Sequence, residues 1–225
     1  MLLLAAGRGA RLAARIPKAF VDCGGQPLLM RSLRRLAMIP VAKEIILTVH
    51  PEDRHRYLEG ICEELESVGL DRVVDGGATR LQSMRHAFDA SSADCSLILV
   101  HDAARPFFSI EAAQQAIERA AEVGAALLAI PAPDTLKRVQ AGRVLETIDR
   151  RDIHLAQTPQ VLRRDLLEQA LAKAEKDGFQ CSDDVSLFEH SGFSVALVPG
   201  SSANLKITTM ADLELATQIA SQEKS

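Results

Sequence analysis

No Gly-Lys pair occurs anywhere in this 225-residue chain, so the G-x-x-x-x-G-K-[ST] phosphate loop is excluded. The dinucleotide fingerprint G-x-G-x-x-G fails as well. Gly7 and Gly9 satisfy its first two positions, but Leu12 stands at the third. Cysteine is sparse: Cys23, Cys62, Cys95 and Cys181 lie far apart and form no C-x-x-C pair. Neither a zinc site nor a disulfide framework is expected, and four thiols in a reducing cytosol is the simpler reading. No apolar run approaches the roughly 20 residues that cross a bilayer, so no membrane partner is expected. The apolar start Met1 to Ala6 is too short for a signal-peptide core and lacks a basic leader, which points to the cytoplasm. Twenty-six basic against thirty acidic residues give a net charge of −4, so no general nucleic-acid surface is implied. Internal repeats, low-complexity tracts and flexible linkers are missing too. One compact domain spanning 1–225 is expected, with 47% apolar residues to fill its core.

Within those bounds, short apolar runs alternate with amphipathic stretches. Strand-like runs are Met1–Leu4, Glu44–Val49, Arg72–Val74, Ser96–Val100, Ala125–Ile130 and Ser194–Val198. Helix-like patterns cover Pro27–Ala37, Pro51–Val68, Thr79–Ala90, Ile110–Val123, Arg164–Asp177 and Met210–Ser221. This alternation predicts an α/β domain with a mainly parallel sheet and helices on both faces. One segment breaks the rhythm. After Pro131-Ala132-Pro133-Asp134, the runs Thr135–Val139 and Arg143–Ile148 flank Ala141-Gly142 and read as a hairpin arm at about 132–150. An isolated two-stranded hairpin is marginal in water, so the arm is expected to lean on a second subunit. The first strand begins at Met1 with nothing before it and is expected to be short. The tail from Gln222 is expected to fray.

In a parallel sheet, ligands sit beyond the carboxyl ends of the strands. Two motifs fall there. The first strand runs into Leu4-Ala5-Ala6-Gly7-Arg8-Gly9-Ala10-Arg11, with Pro17-Lys18 close behind. Its glycines bring backbone N–H groups near a bound anion, and Arg11 and Lys18 can meet triphosphate charge. G-x-G alone also marks ordinary turns, so the loop needs corroboration. The second motif is Leu97-Ile98-Leu99-Val100-His101-Asp102-Ala103-Ala104-Arg105-Pro106, an apolar strand delivering a carboxylate. Asp102 can bind a hard cation such as Mg²⁺ beside phosphates, and Arg105 can take a phosphate. The plainer alternative is an Asp that caps the turn and pairs with Arg105. His101 reads as a packed residue at the strand end.

Further along, Asp75-Gly76-Gly77-Ala78-Thr79-Arg80-Leu81-Gln82-Ser83 reads as a strand end, a turn and a helix start. Backbone groups at Gly77 and Ala78 can read a base edge, with Arg80 and Ser83 on one helical face. A plain turn with Thr79 as N-cap explains the same residues. Lys206 in Asn204-Leu205-Lys206-Ile207-Thr208 is either a site cation or a surface lysine. Ser182-Asp183-Asp184 reads as a helix cap rather than a carboxylate pair. Glu63–Glu66 and Arg163-Arg164 read as solvated helix faces, and Phe107-Phe108 as core or lining.

Taken in order, these segments resemble the 2-C-methyl-D-erythritol 4-phosphate cytidylyltransferase family of isoprenoid synthesis, from Leu4 to about Ala216. The likeness rests on Ala5-Ala6-Gly7-x-Gly9-x-Arg11, Pro17-Lys18, Gly76-Gly77-x-x-Arg80-x-x-Ser83 and Val100 to Pro106. It continues through Asp134-Thr135-x-Lys137, Asp149-Arg150, Gln157-Thr158-Pro159-Gln160 and Asn204-x-Lys206. The resemblance implies a Rossmann-like nucleotidyltransferase acting as a homodimer, each hairpin arm reaching into its partner's site. It further implies that Arg11 and Lys18 stabilise charge at the α-phosphate of CTP, while Asp102 binds Mg²⁺. Ala5, Ala6, Gly7, Gly9, Gly77, Arg80 and Ser83 would cradle CTP and read cytosine. Lys206 would position the attacking phosphate, and Thr135, Arg150 and Arg105 would hold the small polyol phosphate. The chain departs from the family pattern at Leu4, Ala19, Ala78, His154 and Leu162, none of which removes a charged site group. Two alternatives share these motifs: a ribitol 5-phosphate cytidylyltransferase, and a nucleotide-binding regulator without turnover.

Overall fold

The computed structural model describes residues 1–7, 9, 12 and 16–223. Arg11, expected to act at the α-phosphate, lies outside the described residues. Nine strands are described: β1 (Leu2–Leu4), β2 (Ile46–Val49), β3 (Arg72–Asp75), β4 (Leu97–Asp102), β5 (Ala125–Pro131), β6 (Leu136–Gln140), β7 (Arg143–Ile148), β8 (His154–Arg163) and β9 (Ala196–Pro199). Seven of them form one sheet in the order β3-β2-β1-β4-β8-β5-β9, and β6 and β7 pair separately. Only β8 runs against its neighbours; every other pairing in the large sheet is parallel. Short as it is, β1 is central, with Leu3 in register with Leu47 on one side and His101 on the other.

The sheet is buried on both faces, which is why its strands read as continuous apolar runs. On one face Leu3, Leu47, Leu99 and Val161 pack under α1 (Leu28–Ala37) and α5 (Ile110–Val123). On the other, Leu2, Ile46, Ile98 and Val100 pack under α4 (Arg80–Asp89), α6 (Arg164–Asp177) and α7 (Ser186–His190). Period-2 alternation thus sends Leu2 and Leu3 to opposite cores. Each fully buried Leu contributes about 1.5–3 kcal/mol. Helix starts are capped as their sequences ask: Thr79 accepts the Gln82 N–H, and Ser109 accepts the Ala112 N–H. The last helix, α8 (Met210–Gln222), opens on a reciprocal capping box between Thr209 and Asp212. Its Ala216 and Ala220 close a third cluster with Cys23, Leu28, Phe107 and Ile207.

Three expectations need correction. The helix expected over Pro51–Val68 is broken into α2 (Pro51–Asp53), a π-helical turn (Arg54–Leu58) and α3 (Cys62–Ser67). Gly60, a poor helix former, sits in the gap between them. The ten-residue strand β8 does not show in the apolar pattern, because buried polar Gln157, Thr158 and Gln160 occupy its length. Pro159, a residue excluded from ordinary central strands, sits where its pairing with β5 is interrupted between Gln160 and Ala156. Arg164 is not a solvated residue. Its guanidinium donates to the Cys95 and Ser92 carbonyls and lies 4.6 Å over the Phe88 ring.

The hairpin is as expected, with Leu136 opposite Ile148 and a turn at Ala141-Gly142. Its apolar Val139, Val144 and Leu145 are each more than half exposed. The four cysteines are free thiols. Among the described residues no helix is long and apolar enough to cross a membrane.

Candidate active site

The carboxyl ends of β1, β3 and β4 meet at one edge of the sheet, and the loops leaving them enclose a cleft of about 210 Å³. The loop after β1 forms its first wall. The Ala5 N–H donates to the Thr48 carbonyl at 2.9 Å, so the chain leaves the sheet only beyond that point. Gly9 adopts φ +66°, and a Cβ there would stand 2.7 Å from Cβ of Lys18. Glycine thereby lets the loop fold onto Lys18, which Pro17 delivers at the start of a single 3₁₀ turn. Gly76 closes the wall from β3: a Cβ on it would lie 2.3 Å from Cβ of Ala6.

Ala5, Ala6, Gly7, Lys18, Gly77, Arg80, Ser83, Asp102 and Lys206 all line this cleft. Arg105 lines an adjoining cleft of about 230 Å³ that shares Arg80, Asp102 and Lys206 as its dividing wall. Thr135 and Arg150 stand exposed on the arm and line neither cleft of their own chain; Arg150 donates to the Pro133 carbonyl. The turn at Gly77 and Ala78 needs one refinement. Its two amides are already engaged, Gly77 by Ser83 Oγ at 3.0 Å and Ala78 by Gln82 Oε1 at 2.9 Å. A base edge arriving here meets the turn's carbonyls or displaces those side chains.

Charge is concentrated where the two clefts meet. Asp102 is 6% exposed, with Oδ1 2.5 Å from Arg80 Nη1 and Oδ2 2.7 Å from Lys206 Nζ. Arg105 Nε stands 3.8 Å away. Burial works against the charge of Asp102, but Arg80 and Lys206 override it and hold the carboxyl far below its usual range. Lys206 is therefore an ion-paired residue of the cleft wall rather than an ordinary surface lysine. Arg80 reaches a second carboxylate through Nη2, 2.6 Å from Asp184 Oδ2. Burial disfavours the charged form of Arg80, yet Asp184 and then Asp102 raise its pKa above that of an ordinary arginine.

Asp184 corrects the capping reading of Ser182-Asp183-Asp184. The chain amides there are held by Gln160 Oε1, at 2.9 Å from Asp184 N and 3.0 Å from Val185 N. Asp183 Oδ1 takes the Ser186 amide at 3.3 Å. With the helix start served, Asp184 turns inward, is fully buried and backs Arg80. Burial, outweighing Arg80, raises its carboxyl above the ordinary range. The only sequence signal was a second acid that a one-acid cap does not need.

His101 is a packed residue, as expected. It is fully buried, with Nδ1 3.0 Å from Thr158 Oγ1 and Nε2 3.0 Å from the Arg105 carbonyl. Burial lowers its pKa to about 3, so it stays neutral at physiological pH. Among the described residues no group of three His, Cys, Asp or Glu could hold a metal ion. A divalent cation here would take one protein carboxylate, Asp102, and draw its other ligands from substrate oxygens and water. That donor set fits the habits of Mg²⁺ with phosphates.

A mostly parallel α/β sheet with a glycine loop and a cation-ringed carboxylate at its carboxyl edge defines a Rossmann-like nucleotidyltransferase. Comparison with known proteins narrows the class. The family model for 2-C-methyl-D-erythritol 4-phosphate cytidylyltransferase matches residues 1–222. A protein of that name from Solibacter usitatus is 40% identical over 96% of this chain and 93% of its own length. Another, from Acidobacterium capsulatum, is 40% identical over 100% of this chain and 98% of its own. The crystal structure of the Thermus thermophilus protein of that name superposes with a TM-score of 0.80 at 35% identity, covering 98% of each chain. The chain belongs to the 2-C-methyl-D-erythritol 4-phosphate cytidylyltransferase family.

Proposed function

We propose that the chain transfers CMP from CTP to 2-C-methyl-D-erythritol 4-phosphate, giving 4-diphosphocytidyl-2-C-methyl-D-erythritol and pyrophosphate. The observation that carries this reading is the double cleft divided by Arg80, Asp102 and Lys206. Two anionic substrates need to meet across one wall, and that wall supplies both the cations and the carboxylate. An oxygen of the acceptor phosphate attacks the α-phosphorus of CTP in line. The new P–O bond forms as the bond to the β-phosphate bridge breaks, and pyrophosphate leaves with the electron pair. The attacking phosphate is already ionised near neutral pH, so no general base is required. Catalysis is then chiefly positioning and charge neutralisation.

In this reading Ala5, Ala6, Gly7, Gly9, Gly77, Arg80 and Ser83 cradle CTP. Lys18 and Arg11 neutralise charge at the α-phosphate, and Lys206 steers the acceptor phosphate. Asp102 would hold Mg²⁺, which when bound screens the phosphate charges from one another. Arg105 takes the acceptor on the far side of the wall. The chain, 1–225, works as one nucleotidyltransferase unit whose arm, at about 132–150, carries Thr135 and Arg150 into the site of a second copy. Exposed Val139, Val144 and Leu145 support that docking, since an isolated hairpin has little reason to present three apolar side chains to water. Free thiols support a cytoplasmic place of work.

Family membership favours methylerythritol phosphate over ribitol 5-phosphate, and the intact set Lys18, Asp102, Arg150 and Lys206 disfavours a regulator without turnover. The test is pyrophosphate release with CTP and Mg²⁺, offering the two polyol phosphates in parallel and identifying the product by ³¹P NMR. Turnover with methylerythritol phosphate alone is expected. Turnover with ribitol phosphate alone would reassign the acceptor, and silence with both would refute the reading.

A further inference from the structure

The turn that carries Asp102 and Arg105 is tight, the Arg105 N–H donating to the Asp102 carbonyl at 3.0 Å. Both of its ends are held by a pair of side chains to which the proposed reaction gives no task. Thr158 Oγ1, from β8, lies 3.0 Å from the Asp102 amide and 3.0 Å from His101 Nδ1. His101 Nε2 lies 3.0 Å from the Arg105 carbonyl, so the ring spans the turn from below. His101, Thr158 and Asp102 are each buried, 0%, 4% and 6% exposed.

The proton directions in this chain follow without choice. A carbonyl oxygen only accepts, so His101 Nε2 carries the hydrogen and donates to Arg105. Among the described residues the Thr158 hydroxyl hydrogen has no acceptor but His101 Nδ1, so the hydroxyl donates to it. The hydroxyl oxygen accepts the Asp102 N–H. Every group has its partner only in this arrangement. The Thr158 carbonyl extends the clamp: it accepts from Asn204 Nδ2 at 2.9 Å, and the Asn204 carbonyl accepts from Arg105 Nη1 at 2.9 Å.

We propose that Thr158 and His101 are positioning residues for the acceptor side of the reaction, a directional hydrogen-bond relay that fixes the Asp102 carboxylate and the Arg105 guanidinium relative to each other. The relay rests on the proposed function in one respect: that Arg105 takes the acceptor phosphate while Asp102 serves the wall between the clefts. His101 lines neither cleft, and Thr158 lines the acceptor cleft with its hydroxyl engaged by the Asp102 amide and His101 Nδ1. The relay acts through backbone at Asp102, which lines both clefts, and at Arg105, which lines only the acceptor cleft. A split is therefore expected between the two substrates.

Two measurements test this together. In the wild-type protein, ¹⁵N-resolved NMR of histidine is expected to show one ring proton on His101, at Nε2. In kinetics, Thr158→Val removes the hydroxyl and leaves two buried groups without partners. Its kcat/KM for the acceptor is expected to fall about 10²-fold, the scale of a misplacement near 1 Å, with a clearly smaller rise in KM for CTP, because Arg105 lines only the acceptor cleft. Thr158→Ser, which restores the hydroxyl, is expected to recover most of the loss. A proton on Nδ1, a valine variant with normal acceptor kinetics, or a serine variant no better than valine overturns the relay. If the valine protein does not fold, the NMR assignment and near-normal turnover by the serine variant decide in its place. Absence of wild-type turnover would refute the proposed function, whereas the ring tautomer is read without any substrate and judges the relay by itself.

Discussion

Asp184 offers the sharpest quantitative test of the site's electrostatics, because it is buried, singly paired and outside both expected roles for it. Its Oδ2 bonds Arg80 Nη2 at 2.6 Å, and among the described residues its Oδ1 has no hydrogen-bond partner. Removing one member of a buried ion pair costs about 3–5 kcal/mol when the survivor is left uncompensated. Arg80 is not left so, since Asp102 remains 2.5 Å from Nη1. In Asp184→Asn the amide oxygen still accepts from Nη2, so an ion pair becomes a bond in which only the guanidinium is charged, weaker within the about 1.5–3 kcal/mol of charge-assisted bonds. Burial already disfavours the Asp184 charge, and its removal offsets part of that loss. The net cost for Asn is about 1 kcal/mol. Asp184→Ala keeps no acceptor, leaves Nη2 unpaired in a buried setting, and costs about 2–3 kcal/mol.

Urea denaturation of the three proteins measures these differences, with unchanged m-values as the check that only stability moved. KM for CTP follows the same order, because Arg80 lines the nucleotide cleft and loses its rear anchor only in the alanine protein. Alanine as stable as wild type, or asparagine as damaging as alanine, would show that Asp184 does not hold Arg80 and would refute the ledger above.

Lys18→Ala is expected to lower kcat about a hundredfold or more in a well-folded protein, and normal turnover would remove Lys18 from the chemistry. Mixing Arg150→Ala with Lys18→Ala chains should restore activity in heterodimers, each of which keeps one site with both cations; proven heterodimers without recovery would exclude the shared site. Gly76→Ala forces a Cβ to within 2.3 Å of Ala6, so KM for CTP should rise, and an unaffected KM would mean the wall yields freely. His101, near pKa 3 folded against 6.5 unfolded, makes stability fall as pH drops between those values, because the unfolded chain binds the extra proton. Its share is about 1.4 kcal/mol per pH unit at the steepest, and chemical-denaturation curves at pH 4 to 7 should show His101→Gln with the shallower dependence.

How far the sequence could be read depended on whether burial and polarity agreed. Strands such as β1, β4 and β5 are apolar on both faces, and helices α5 and α6 carry their caps and amphipathic stripes openly, so their bounds fall close to expectation. The strand β8 hid because three of its six buried positions are Gln157, Thr158 and Gln160, whose hydrogen bonds substitute for apolar packing. The same inversion hid Asp184. A carboxylate looks like a surface group in sequence, and only the approach of Arg80 from α4, 104 residues away, makes its burial tolerable. Residues placed by local motif, such as Gly9 beside Lys18, were readable; those placed by long-range charge pairing were not.

That pairing also explains why one Asp can stand amid so many cations. Where the two clefts meet, Arg80, Lys206 and Arg105 face Asp102 and Asp184, so the cluster carries a single surplus positive charge. In the ligand-free chain the carboxylates keep the three cations apart and pointed at one spot. A nucleoside triphosphate and a phosphomonoester together bring several negative charges to that spot, more than one surplus cation balances. The balance has to come from elsewhere: Lys18 on the opposite wall, the divalent cation for which Asp102 is the available carboxylate, and the partner's arm. A site built this way holds its shape when empty yet becomes electrically complete only with both substrates and every contributor in place.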